Sequence, residues 1–121
     1  MGNLEALLST LLCGDDDKAE VAACEIASHG SSAIPALQKL LTNTDPDTRW
    51  WALRALAEIE DSQVSPLLKS SLHDPDPAVC QCAALALRQH PSPLAVPDLI
   101  DCLGASDRLL AHLAADALIA T

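Results

Sequence analysis

The side chains able to do chemistry in this chain are few, and most sit at turns. His73 stands in the run His-Asp-Pro-Asp beside Asp74 and Asp76, a set that offers nitrogen and oxygen donors to a metal ion. The same carboxylates suit helix capping, because Asp76 precedes Pro77 where a helix start leaves amide hydrogens unpaired. Capping is the simpler assignment. Cys80 and Cys82 lie two apart in a helical stretch, so their thiols diverge and share neither a metal nor a disulfide. Cys82 reads as core and Cys80 as the more accessible of the two. Asp15, Asp16 and Asp17 form an acidic run that a helix start accepts as a solvated cap, and His29 and His90 fall at helix ends, where a cationic ring is favoured. No Ser, His and Asp set is arranged recognisably, and the four glycines form no phosphate-binding loop. The expectation is a protein with no catalytic residue, no cofactor and no metal site.

The elements that position these residues recur at a fixed spacing. Pro35, Leu37, Leu41, Asp45, Ala52, Ala55 and Leu56 are matched 31 positions on by Pro66, Leu68, Leu72, Asp76, Ala83, Ala86 and Leu87. A second shift gives Pro97, Leu99, Leu103, Asp107, Ala114, Ala117 and Leu118. The first unit fits with one residue fewer, Leu7, Leu11, Asp15, Ala22 and Ile26 standing for Leu37, Leu41, Asp45, Ala52 and Leu56. Such periodicity marks a repeat protein whose units bury their apolar faces against one another. In each unit a proline and an apolar stripe announce a first helix, and an Asp-containing turn leads to a longer, Ala-rich second helix. The predicted helices are near 3–12, 16–28, 33–42, 46–59, 64–72, 77–89, 94–103 and 107–120. They form one domain of four hairpins, about 3–30, 31–61, 62–92 and 93–121.

Composition bounds the partners. Seventeen acids against seven Lys and Arg give a net charge of −10. That balance argues against nucleic acid, where a positive field supplies most non-specific affinity, and against an anionic membrane surface. Phe and Tyr are absent and two Trp are the sole aromatics, so Leu, Ala, Ile and Val must build the core. Five cysteines show no paired framework, which fits reduced thiols in a cytoplasm. The apolar stretch from Leu4 to Leu12 is short and contains Glu5, so it reads as a helix and not as a targeting or membrane segment.

The repeat columns serve as an internal control on burial. Trp51 shares a column with Val21, Cys82 and Leu113, all apolar, and is expected in the core, which would make Trp51→Ala the costlier of the two tryptophan substitutions. Trp50 shares its column with Glu20, Gln81 and His112 and is expected on the solvent side of its helix. Partner-binding residues on that side are expected to be Trp50, Arg54, Gln81, His112 and Asp116, with Trp50 as anchor because exposed tryptophan is enriched among interface hot spots. The last helix, with Leu109, Leu110, Leu113, Leu118 and Ile119, has little charge. A homo-oligomer through the C-terminal repeat is the expectation there, since solenoid ends are normally polar.

The run Ile34-Pro35-Ala36-Leu37, then Asp45-Pro46-Asp47, then Arg49 and Ala52 with Ala55-Leu56, resembles the HEAT-like repeat in the short form found in phycobilin lyases. The likeness covers nearly the whole chain. It implies an all-α, right-handed α-solenoid whose second helices line a concave face. The usual basic residue early in the second helix survives as Arg49, with Cys80 and Ala111 in the equivalent places, so a ladder of Arg side chains would keep one rung. Some HEAT-like proteins resemble the iron-dependent deoxyhypusine hydroxylase, but no His-Glu pair follows any of the four histidines here. Others resemble alkylpurine DNA glycosylases, whose basic groove is also missing. The expected function is a non-catalytic protein-protein interaction scaffold that binds another protein on its concave face. The alternative is an accessory subunit of a phycobilin lyase-like system for chromophore attachment or detachment.

Overall fold

A computed structural model describes residues 4–121. Among them every regular element is helical: α1 (Leu4–Leu11), α2 (Asp16–Ala27), α3 (Ile34–Leu40), α4 (Pro46–Leu56), α5 (Val64–Ser71), α6 (Pro77–Gln89), α7 (Val96–Leu103) and α8 (Arg108–Ala120), with 3₁₀ turns at Gly30–Ala33 and Pro93–Ala95. The two 3₁₀ turns lead into α3 and α7, which therefore begin a residue or two later than the periodicity suggests. The predicted end of α4 also shifts. Beyond Leu56 the chain continues to Ile59 through amide bonds from Glu58 to Ala55 and from Ile59 to Leu56, the tighter i→i−3 pattern that satisfies carbonyls at a helix end.

Each second helix begins at the Asp marked by the repeat. Asp15, Asp45, Asp76 and Asp107 all adopt extended backbone and accept amide hydrogens from the first turn of α2, α4, α6 and α8. Pro46 and Pro77 follow directly, at a position where the missing amide hydrogen costs nothing. The turn from α1 into α2 needs Gly14, whose φ of 90° is open to a residue without a side chain. A Cβ there would meet nothing within 4 Å, so the requirement is on the backbone and not on space.

The chain forms two compact units, Met1–Asp61 and Ser62–Thr121. In the first, α1 packs on α2 and α3 on α4, and α2 lies against α4. Leu11, Ala19, Ala22, Ala23, Ile26, Leu37, Ala52, Ala55 and Leu56 are buried there. In the second, α5 packs on α6 and α7 on α8, with α6 against α8. Leu68, Val79, Ala83, Ala86, Leu87, Leu99, Ala114 and Ala117 fill that core. Alanine dominates both α2 and α6, which lets paired helices approach closely.

Three expectations are corrected. Trp51 is only partly buried; the large core residue of α4 is Leu53, fully enclosed. Trp50 is also partly buried and does not stand clear of the surface. Cys80 is as buried as Cys82, because its thiol turns inward and donates to the Asp74 carbonyl at 2.8 Å.

Candidate interaction surface

On α4 the two tryptophans face each other edge to face, with ring centroids 4.9 Å apart and planes at 83°. That geometry sets the positive edge of one ring against the negative face of the other. Arg54 stands one turn after Trp50. It bonds Glu58, two residues past the end of α4, at 2.6 Å and reaches Glu20 on α2. Burial works against the guanidinium's charge, but the hydrogen bond that it donates to Glu58 and the field of Glu20 outweigh it and raise its pKa. Arg54 is thus a tie between α2 and α4 before it is a contact for a partner.

The Trp51 ring forms a wall of a cleft of about 230 Å³, with Leu11, Leu12, Gly14, Asp16, Asp45, Asp47 and Thr48 as the other walls. A more open hollow of about 410 Å³ lies between α1 and α2, lined by Leu7, Thr10, Asp17, Lys18, Val21, Ala22 and Glu25. Arg49 points away to its own turn, donating to the carbonyls of Asn43 at 2.8 Å and Thr44 at 3.2 Å.

In the second unit the remaining expected residues take two roles. Gln81 on α6 donates to the Asp107 carboxylate at 2.7 Å and so ties α6 to the start of α8. His112 and Asp116 stand one turn apart on α8, 3.7 Å between them, with the imidazole well exposed. The structure therefore joins Arg54 to Glu20 and His112 to Asp116, and commits Gln81 to an internal bond.

Two features escaped the sequence. Cys80 sits 31 positions after Arg49 and its thiol meets the carbonyl of Asp74, 31 positions after Asn43, so a second rung survives with sulfur in place of guanidinium. Burial, with Asp74 beside it, pushes the Cys80 thiol up, and burial does the same at Cys102. The other feature is Asp98 on α7, buried and held by His73 Nε2 at 2.6 Å and Lys69 Nζ at 3.2 Å. The His73 hydrogen bond is the main influence that holds its carboxyl below the usual range. One signal existed: Asp98 occupies a column filled by Ala6, Ala36 and Leu67, where a carboxylate is out of place unless paired. His73 is thereby assigned to a structural clamp. Among the described residues no group of three or more His, Cys, Asp or Glu side chains is placed to hold a metal ion.

A model of HEAT repeats matches residues 4–81 and 34–119. The chain belongs to the HEAT-repeat family. Comparison with curated proteins returns no match. Among solved structures, this HEAT-repeat chain resembles a chain in the complex of CpcE and CpcF of phycocyanin lyase from Nostoc sp. PCC7120, with a TM-score of 0.83 at 20% identity over 97% of this chain and 76% of that one. Two engineered proteins match at TM-scores of 0.64 and 0.62, with 29% and 28% identity over 99% of this chain and 62% and 64% of theirs. Together the helices, the repeat matches and these neighbours place the fold in the all-α HEAT-like solenoid class. No helix among the described residues is long and apolar enough to cross a membrane.

Proposed function

We propose that this HEAT-repeat chain is a non-catalytic interaction scaffold that takes a protein partner on the surface of its second helices. Trp50 on α4 is the anchor. One observation supports this reading above others: the sole aromatics of the chain stand together on one helix, and neither is fully buried. Packing alone gives no reason to leave two indoles partly in water, whereas partners favour such rings. Because Trp50 is already partly covered, enclosing the rest is worth about 1–2 kcal/mol at 25 cal/mol per Å². Loss of the ring should thus weaken binding by about tenfold. The experiment is affinity capture from source lysate with wild type, Trp50→Ala and the exposed α6 control Gln89→Ala. A partner that Trp50→Ala loses and Gln89→Ala retains supports the reading; a partner captured equally by all three counts against it.

A second reading, an accessory subunit of a phycobilin lyase-like system, is favoured by the likeness to the phycocyanin lyase complex. The 230 Å³ cleft is smaller than the roughly 300–1,000 Å³ of ordinary small-molecule pockets, while the hollow between α1 and α2 lies inside that range. Mixing the protein with a free bilin and recording the visible spectrum tests this; an unchanged spectrum removes it.

A further inference from the structure

The geometry points to the Trp51 cleft as a seat for one arginine side chain from a basic segment of a protein partner. This deepens the scaffold reading and rests on it. An indole wall and the exposed Leu12, backed by the buried Leu11, share a space of about 230 Å³ with three carboxylates, Asp16, Asp45 and Asp47. An arginine is built the same way. Its methylenes cover apolar surface, its planar guanidinium stacks on an aromatic ring, and its fork of N–H groups matches carboxylates.

Charge decides between a cation and an anion. The starts of α2 and α4 both reach the cleft, and each helix N-terminus carries roughly half a positive charge. Those two ends are countered by three full negative charges on the lining itself. Arg49, a turn into α4, spends its guanidinium on the carbonyls of Asn43 and Thr44, and even with its charge added the balance stays negative. The net charge of −10 draws the same kind of partner from a distance. Asp45 is bound up in capping, accepting from the Asp47 amide at 3.0 Å, so Asp16 and Asp47 are the carboxylates that would grip the ligand.

The test is an NMR titration of the ¹⁵N-labelled chain with the acetylated peptide Gly-Arg-Gly-Arg-Gly amide, and with the same peptide carrying neutral citrulline for arginine. Trp50→Phe assigns the indole signals. The expected result is saturable shifts centred on the Trp51 indole N–H and the amides of Asp16 and Asp47. Affinity should fall at least about tenfold for the citrulline peptide, for Asp16→Asn/Asp47→Asn, and for Trp51→Leu. Spectral dispersion like that of wild type shows that the variants remain folded. Shifts that spread over all carboxylates without saturating, or that centre on Trp50, or an affinity indifferent to these changes, overturn the assignment. A failed titration alongside Trp50-dependent partner capture removes the cleft and leaves the scaffold reading standing.

Discussion

At the scale of single residues, α4 shows how two neighbours in one helical turn acquire opposite importance. Leu53 is fully enclosed, while Trp51 and Trp50 are only partly so. Leu53→Ala should therefore cost about 2–5 kcal/mol, and Trp51→Ala distinctly less despite the larger deletion. Urea denaturation of both variants checks the order. The sequence pointed the other way because a column average assumes that one position faces the same way in every repeat. In the Trp51 column Val21 is 59% exposed and Cys82 is 9%, so that position rides the border of the apolar stripe. Leu53 was hidden by its own column, where Ala23, Ala84 and Ala115 are too small to declare a side. Asp98 makes a second residue-level prediction. Its folded carboxyl titrates below the ordinary value of about 3.9, so its contribution is complete above that pH and is lost as pH falls through the folded value. Asp107, lowered chiefly by the Gln81 hydrogen bond, acts in the same window. Acid unfolding followed by circular dichroism should begin below about pH 4, and Asp98→Asn should flatten that limb.

At the scale of the helix, capping carries the repeat more firmly than the apolar stripe does. All four second helices start within one residue of the position predicted from the Asp column, because a cap is a local device that the surrounding fold need not arrange. Contacts across 25 residues, such as His73 with Asp98, depend on how two hairpins dock and leave only an odd residue in a column as a trace. The caps differ in what they hold. Asp76 accepts from the amides of Ala78 and Val79, whereas Asp45 accepts from that of Asp47. Replacement by Ala should cost about 0.5–2 kcal/mol, with Asp76→Ala at the upper end and Asp45→Ala at the lower. Thermal melts of the two variants side by side would show it, and equal losses would mean that the second amide of α6 contributes little.

At the scale of the whole molecule, charge and exposed apolar surface oppose each other. A net charge of −10 on a chain of 121 residues makes the folded state repel itself, and it also keeps copies apart. Against this, α8 exposes Leu109 at 52% and Ile119 at 84%, surface that a second copy would cover favourably. Salt tips both balances the same way. The screening length shrinks from about 30 Å at 0.01 M to about 10 Å at 0.1 M and 3 Å at 1 M, while apolar burial is untouched or strengthened. Raising sodium chloride from 10 mM to 0.5 M should lift the melting temperature by about 3–5 °C, the shift expected for roughly 1 kcal/mol in a chain of this size. In the same range, sedimentation should move from monomer towards dimer if α8 is the contact between copies. Ile119→Glu separates the two effects. In that variant the melting temperature still climbs with salt, because repulsion within each chain is still being screened, whereas the dimer fails to form. A dimer that persists in Ile119→Glu would place the contact elsewhere, and a melting temperature indifferent to salt would mean that the acids of this chain are spaced too widely to repel.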